Sequence, residues 1–296
     1  MGETRVDDDD RVAVTPMIGF DETVMSPASR RRRRRFVTAA VDVTTGQIVD
    51  VFEGRDAKHL QTWMAGQDPG WLAGIEVVSV DPHEGYRSAI CAEGSPLADV
   101  TVVVDPFHIV RLANQAITKC RQRVQNETLQ HRGWKGDPLY AIRKVLLMGA
   151  ERLDAPGWQR LHAGLNAGDP DDSVTDCWVA KEKVRDIYLT ADPDVAAGHL
   201  DDAIALCIAE ESSPELATLA KTLRRWQPEI LARHTTGASN GRVEAANLLI
   251  KAVKRSGRGF RNLHNYRLRI LLAGGQPPCQ TQPVTRIRTR RPRLVA

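Results

Sequence analysis

The chain has 296 residues, enough for one large domain or two smaller ones, and its 42% hydrophobic and 26% charged content is ordinary for a soluble globular protein. No apolar run reaches the roughly 18 to 20 residues that a membrane span needs, and the acidic N-terminus lacks the apolar segment of a secretory signal. The five cysteines are scattered without any CxxC pair, which argues against a disulfide scaffold or a zinc site and fits a reducing cytoplasm.

The first half of the chain is predicted to alternate strands and helices. Residues 1–15 are expected to be a disordered acidic lead. The apolar runs after it predict strands at 17–21, 36–43, 47–54, 75–81 and 100–105. Helical spacing predicts helices at 55–66, ending at Gly66, and at 84–94. This order predicts a mixed β-sheet covered by helices.

Six consecutive arginines, Arg30–Arg35, fall in the connection between the first two predicted strands. Two interpretations are open for this run. The arginines either contact DNA or form a solvated loop.

From about residue 109 to residue 232 the pattern is helical, without a strand signal. Amphipathic helices are predicted at 109–129, 138–149, 171–191 and 212–233, separated by Gly, Pro and Asp breaks. A further helix begins near residue 240, with Ser239 or Asn240 as its N-cap.

Positive charge is concentrated at the C-terminal end of the chain. From Ser239 onward there are 13 Lys and Arg residues against one acid, Glu244, whereas the preceding part has 28 basic and 36 acidic residues. A basic segment of this density is typical of a surface that binds a polyanion, most often nucleic acid. The stretch at 285–293 is equally well explained as a solvated tail.

Three acids stand out by their positions. Asp21 closes the first apolar run, Asp81 closes the fourth strand, and Glu244 lies one turn into the last helix. Carboxylates that converge at the carboxyl edge of a sheet suit Mg²⁺, and two such ions suit phosphodiester chemistry. Simpler explanations exist, because Asp81 and Asp105 each precede a proline and could cap a helix, and Glu244 could stabilise the helix dipole.

The helix that carries Glu244 has two distinct faces. Four residues share an apolar face: Val243, Ala246, Ile250 and Val253. Four others share a neighbouring polar face: Glu244, Asn247, Lys251 and Arg255. Glu244 is therefore expected at the rim of the buried face, within reach of the sheet edge, although an ordinary amphipathic helix would show the same pattern.

Five segments of the chain carry a family resemblance. They are IGFDE (18–22), DVFEGRDA (50–57), VSVDPHEGYRSAI (78–90), VVVDPFHIVRLAN (102–114) and SNGRVEAANLLIKAVKRSGRGFRNLHNYRLRILL (239–272). In this order they resemble the catalytic region of ISL3-type insertion-sequence transposases, a DDE group, over roughly residues 17–275.

The resemblance implies an α/β fold in which an RNase H-like mixed β-sheet, flanked by helices, is interrupted by an all-helical insertion before the last catalytic helix. The implied domains are a core in two parts, 16–112 and 237–275, an insertion at 113–236, and a basic disordered tail at 276–296.

The resemblance also implies the site residues. Asp21, Asp81 and Glu244 would be the catalytic triad and bind two Mg²⁺ ions, with Mn²⁺ as a substitute. Asp105 and His108 match a second family motif and would support the site; Asp105 could replace Asp81 as a metal ligand, and His108 could merely hydrogen-bond within the fold. The expected DNA-binding residues are all basic: Arg111, Lys251, Lys254, Arg255, Arg258 and Arg261.

The implied activity is that of a DNA transposase, a polynucleotidyl transferase that cleaves and joins DNA without a covalent protein–DNA intermediate. It would act in the bacterial cytoplasm on the nucleoid, as a homo-oligomer on transposon ends and target DNA, without a membrane partner. Family members usually carry an N-terminal zinc module and helix-turn-helix, whereas here the first catalytic strand begins within twenty residues of Met1. A truncated copy is therefore expected, and the alternatives are an inactive DNA-binding remnant or another RNase H-like nuclease.

Overall fold

The computed structural model describes residues 11–28, 30, 33–209, 212–238 and 240–275. The expected tail at 276–296 and most of the expected lead lie outside these residues. Among the helices of the described part, none is both long and apolar enough to cross a membrane.

The first half of the chain forms a five-stranded sheet with three helices. The strands are β1 (Met17–Ser26), β2 (Arg35–Asp42), β3 (Ile48–Glu53), β4 (Val77–Val80) and β5 (Thr101–Val104). The helices are α1 (Ala57–Ala65), α2 (Pro69–Ala73) and α3 (Glu84–Ile90). The predicted order of elements is confirmed, with the short α2 added.

Strand β1 is longer than the sequence indicated. The apolar run was expected to end at Asp21, but backbone pairing with β2 continues to Ser26, although the later residues include polar ones. Asp21 therefore lies in the middle of its strand, and the expectation that it closes the strand was wrong.

The sheet has the strand order β3-β2-β1-β4-β5. The first three strands are antiparallel, whereas β1, β4 and β5 run parallel. Helices α1, α2 and α3 cover one face, where Phe20, Leu60 and Tyr86 belong to one buried cluster. The carboxyl ends of β4 and β5 consequently meet beside the middle of β1.

Helices fill the described residues between β5 and residue 236. They are α4 (Pro106–Leu129), α5 (Pro138–Ala141), α6 (Ala155–Gly168), α7 (Ser173–Asp186), α8 (Pro193–Cys207), α9 (Pro214–Arg225) and α10 (Gln227–Thr236). They pack around a hydrophobic core of their own, which includes Ile117, Val184 and Leu200. Helix α4 runs unbroken past residue 112, where the domain boundary was expected.

Two predicted helices differ in the structure. The segment 138–149 is helical only over α5, and beyond it the carbonyls of Leu146 and Met148 accept hydrogen bonds from the buried ammonium of Lys181 at 3.1 and 2.5 Å. The segment 212–233 is divided at Trp226 into α9 and α10, next to Pro228, which has no N–H to donate.

Two further helices, α11 (Gly241–Ser256) and α12 (Leu263–Gly274), close the other face of the sheet. Val243, Ile250 and Tyr266 pack there against residues of β2 and β3. Residue 11, expected in the disordered lead, is part of this packing. The buried Arg11 side chain donates to the carbonyls of Val49 at 2.6 Å and Gly275 at 2.8 Å.

The arginine run is only partly a loop. Arg35 is the first residue of β2 and forms an ion pair with Glu53 at 2.8 Å. Arg30, Arg33 and Arg34 are exposed in the connection, and residues 31–32 are outside the described part.

Candidate active site at the edge of strands β1, β4 and β5

Three aspartates form one row across the parallel strands. Gly19 of β1 is paired with Ser79 of β4, and Ser79 in turn with Val103 of β5. Two residues farther along the chain lie Asp21, within β1, and Asp81 and Asp105, each directly after the end of its strand. Because side chains alternate between the faces of a sheet, all three aspartates project on the side of Gly19, the side covered by α11.

Asp21 is held by a residue of α11. The side-chain amide of Asn247 donates to Asp21 Oδ2, while its carbonyl Oδ1 accepts from the Thr23 hydroxyl at 3.0 Å. Burial, and then the charge of neighbouring Asp81, raise the pKa of Asp21 to about 7. Asp21 and Asp81 are therefore close enough for their negative charges to oppose one another.

The second carboxylate, Asp81, is positioned by His108 of α4. His108 Nδ1 lies 3.0 Å from Asp105 Oδ2, to which it is hydrogen-bonded, and 2.8 Å from Asp81 Oδ1. Burial lowers the pKa of His108, but its hydrogen bond to Asp105 and its ion pair with Asp81 outweigh this effect and raise the pKa to about 9. His108 is thus an imidazolium held between two carboxylates, and the supporting role expected for Asp105 and His108 stays a prediction.

Glu244 lies on the flank of α11 nearest β4. Along the helix, Val243 packs toward β2 and Asn247 contacts β1. At about 100° per residue, Glu244 is rotated from both of them in the same direction, toward the side of the helix where Asn240 bonds to Ser79 of β4. Its side chain is exposed and has no hydrogen-bond or ion-pair partner within the described residues.

Close contact between α11 and β1 fixes this arrangement. A Cβ atom at Gly19 would overlap the Val243 side chain and lie 3.4 Å from Asn240 Oδ1. The same Asn240 oxygen is 3.1 Å from the Ser79 hydroxyl, which donates to it. Asn240 is the N-cap of α11, which was one of the two residues expected there. Its side chain, however, bonds to Ser79 of β4 and makes no capping hydrogen bond to its own helix.

The side chains around Asp21 and Asp81 fit a divalent cation. Asp81 Oδ1 is buried and has no hydrogen-bond donor, since its contact with His108 is an ion pair without hydrogen-bond geometry. A hard divalent cation would coordinate this oxygen and would reduce the repulsion between the negative charges of Asp81 and Asp21. Within the described residues, no three His, Cys, Asp or Glu side chains are arranged so that they could hold a metal together.

A basic groove of about 930 Å³ continues from this site between β1 and α11. Residues 22–27 form one wall. The other wall contains five of the basic residues expected to bind DNA: Lys251, Lys254, Arg255, Arg258 and Arg261. Among the lining residues Glu22 is acidic, and it lies at the end of the groove nearest Asp21.

The basic residues of the groove are not equivalent. Lys254 is half-buried and donates to the Val24 carbonyl at 2.6 Å, whereas Lys251 and Arg255 are exposed. Arg258 is also exposed and adopts a left-handed conformation with φ 52°, in the turn that leads to α12. The sixth expected DNA contact, Arg111, is exposed one turn beyond His108 on α4.

Sequence reasoning missed the role of Asn247. It was assigned to the polar face of the helix, but its side chain is only 5% exposed and bridges Asp21 and Thr23. Its position three residues after Glu244 was the available signal, since residues at that spacing share a helix face.

Comparison with known proteins agrees with this architecture. The family model for ISL3-type DDE transposases, described as "Transposase", matches residues 18–270. The transposase for insertion sequence element IS1001 of Bordetella parapertussis is 26% identical over 251 residues, covering 84% of this chain and 60% of that protein. The transposase for IS1557 of Mycobacterium tuberculosis H37Rv is 25% identical over 280 residues, covering 86% of this chain and 59% of that protein.

The chain thus spans about three fifths of the length of the curated relatives it matches. No solved structure gave a significant match. The family match extends from β1 to α12 and includes every element that contributes to the aspartate row and the basic groove. The chain therefore belongs to the family of ISL3-type DDE transposases.

Proposed function

We propose that this chain is the catalytic region of a transposase that cleaves DNA phosphodiester bonds and transfers the cut strands, with an RNase H-like core and a helical insertion formed by α4–α10. The observation that carries the proposal is the juxtaposition of Asp21 and Asp81, whose negative charges oppose one another. The buried Oδ1 of Asp81 forms an ion pair with His108 but accepts no hydrogen bond. Two carboxylates that oppose one another in a partly buried row are the arrangement that divalent-ion phosphoryl transfer requires.

Asp21, Asp81 and Glu244 are the residues that would hold Mg²⁺, or Mn²⁺ in its place. Two such ions, when bound, supply activation of an attacking oxygen and stabilisation of a leaving oxygen. The free, exposed carboxylate of Glu244 on the β4 flank is suited to complete the ligand set when DNA and metal arrive together.

The remaining side chains orient the carboxylates. Asn247 fixes Asp21 through its amide, and His108 keeps Asp81 next to Asp105. In this proposal Asp105 acts through His108 and Asp81 is the second metal ligand, because the charge of Asp81 is the main neighbouring charge that raises the pKa of Asp21.

The basic groove supplies the DNA contact. Lys251 and Arg255 are exposed beside the catalytic row, and phosphate neutralisation by such cations provides most of the sequence-independent affinity for DNA. Arg111 is exposed one turn beyond His108 on α4, and we propose that it contacts the same strand. We propose that the chain acts as a homo-oligomer assembled on DNA.

The proposal is tested by nicking of a supercoiled plasmid that carries the DNA flanking the coding sequence, with Mg²⁺ or Mn²⁺. Asp21→Asn, Asp81→Asn and Glu244→Gln are each expected to reduce nicking at least 100-fold while leaving the far-ultraviolet circular dichroism spectrum unchanged. Glu76→Gln is the matched control, because Glu76 is an exposed acid at the opposite end of β4 from Asp81.

Two outcomes would contradict the proposal. Full nicking by any one of the three variants removes that residue from the ligand set. DNA binding by the wild type without nicking in either metal would instead favour a DNA-binding remnant.

A further inference from the structure

An exposed tryptophan follows helix α4, far from the catalytic row. Trp134 is 69% exposed and lies in the loop of residues 131–137, called here the platform loop. Full burial of a large apolar side chain stabilises a protein by about 1.5 to 3 kcal/mol. The exposed Trp134 side chain does not contribute this stabilisation, although the helical region has a hydrophobic core of its own.

The platform loop is held in a defined conformation. Asp137 Oδ2 accepts from the Trp134 backbone N–H at 2.5 Å and from the Gln125 side-chain amide at 3.2 Å. Gln125 is itself buried and accepts a bond from Arg121. Gly133 has φ 119°, a conformation that favours glycine. The orientation of Trp134 is therefore anchored to α4 through buried polar groups.

One face of the Trp134 ring is already occupied. The imidazole of His131 stacks on it with ring centroids 4.4 Å apart and planes within 5°. With one face backed by His131, the exposure of the ring leaves the other face open to solvent. A flat aromatic ring with one supported and one open face is the geometry of a base-stacking platform.

The charges around the ring are positive. Arg132 and Lys135 flank Trp134, are both exposed, and have no ion-pair or hydrogen-bond partner for their side chains within the described part of the chain. The nearby acids are engaged, since Asp137 holds the loop and Glu127 pairs with Arg123 at 3.0 Å. This charge pattern complements a polyanion and opposes a basic or purely apolar partner.

The platform loop is separate from the basic groove. Gly133 packs beside the Gln125 side chain, and Gln125 lies twenty residues along the helical chain from Asp105. At 1.5 Å per helical residue this separation is about 30 Å. The loop and the catalytic row can therefore be tested independently.

We propose that the platform loop is a second nucleic-acid site that binds single-stranded DNA, with an unpaired base stacked on Trp134 and the flanking phosphates in contact with Arg132 and Lys135. Stacking on an aromatic ring tolerates any base, and phosphate contacts are independent of sequence. The site is consequently a general single-strand contact on the helical region, whatever sequence the catalytic row acts on.

The test uses fluorescein-labelled twelve-residue oligothymidylate and a 20-base-pair duplex, titrated by anisotropy in EDTA. Trp134→Ala is expected to weaken binding of the single strand at least 5-fold and of the duplex less than 2-fold. Trp134→Phe should retain most of the affinity. Leu189→Ala is the matched control, since Leu189 is equally exposed at 69% and should have no effect.

A second readout is intrinsic fluorescence. Oligothymidylate should quench tryptophan emission of the wild type, and this quenching should disappear in Trp134→Phe. Unchanged single-strand affinity in Trp134→Ala, or equal losses for single strand and duplex, would overturn the inference. Sedimentation velocity adds one more overturning result, because a dimer that dissociates on Trp134→Ala would identify the loop as a contact between copies of this chain.

These measurements use no divalent metal and give the same expected result in the Asp21→Asn variant. Failure of the plasmid-nicking assay would therefore reject the proposed function but not the single-strand site on the platform loop. Unchanged single-strand binding by Trp134→Ala would reject that site but not the proposed function.

Discussion

The side-chain amide of Asn247 joins helix α11 to strand β1 by donating directly to the carboxylate of Asp21. The two residues are 226 positions apart in the chain, separated by the helical region α4–α10. This contact determines where the helix that carries Glu244 sits relative to the aspartate row.

Removal of the Asn247 amide should impair catalysis more than folding. Asn247→Ala leaves Asp21 and Thr23 without their shared partner, so the carboxylate is no longer fixed toward Asp81. We expect metal-dependent nicking to fall 10- to 100-fold, the range typical of residues that orient metal ligands. Asn166→Ala, an exposed asparagine on α6, serves as the control. Nicking equal to wild type would show that Asn247 is only a packing residue.

Stability of the metal-free protein should depend on the charge of Asp21. Its folded-state pKa of about 7 lies above the ordinary value of 3.8, so the folded protein binds the proton more tightly than the unfolded chain does. Wild-type stability should therefore fall as the pH rises from about 4 to 7, whereas Asp21→Asn cannot ionise and escapes this loss.

We expect urea denaturation in EDTA to show Asp21→Asn more stable than wild type at pH 8, by at most about 4 kcal/mol, with a much smaller difference at pH 4.5. Mg²⁺ at pH 8 should stabilise the wild type and not the variant. Asp99→Asn, an exposed control, should show neither effect. An equal difference at both pH values would mean that Asp21 ionises normally.

A methyl group at Gly19 should displace the helix that carries Glu244. In Gly19→Ala the new Cβ overlaps the buried Val243 side chain, and the helix must shift away from β1. Overpacking of this kind costs about 1 to 3 kcal/mol, and we expect both a lower melting temperature and weaker nicking. The double variant Gly19→Ala/Val243→Ala removes the overlapping methyl groups. If it recovers neither property, the close contact is not the cause.

The basic residues of the groove should fall into two groups, those that only bind DNA and one that also stabilises the fold. Lys251→Ala and Arg255→Ala remove exposed cations, so each should lower the slope of log affinity against log salt by about 1 without changing the melting temperature. Lys254→Ala also removes the bond to the Val24 carbonyl and should cost about 1 kcal/mol of stability. These slopes are measured with a 20-base-pair duplex between 50 and 200 mM salt.

Lys58→Ala provides the control for the groove, because Lys58 is exposed on α1, on the other face of the sheet. An unchanged salt slope in both Lys251→Ala and Arg255→Ala would place the DNA elsewhere on the protein.

The sequence by itself determined the order of elements and the identity of the candidate residues. Alternation and β-branched runs indicated the five strands, and helical periodicity indicated the long helical region, because both patterns follow from which residues must be buried. The segment around Glu244 was distinctive enough to indicate the family that the comparisons later confirmed. Local pattern was less reliable over 138–149, where the helix ends at Ala141 and the later carbonyls of Leu146 and Met148 bond to the distant Lys181.

Only the tertiary structure decided which residues meet. The register of three parallel strands places Asp21, Asp81 and Asp105 in one row, and strand register depends on pairing that a single sequence does not display. The Asn247 side chain is buried because it bonds to the carboxylate of Asp21, which is 226 residues away in the chain. Likewise, Trp134 could have been a core residue by composition, and its exposure follows from a loop fixed by Asp137 and backed by His131. Local periodicity specifies which face of an element is buried, whereas the partner that this face meets is set by the packing of the whole chain.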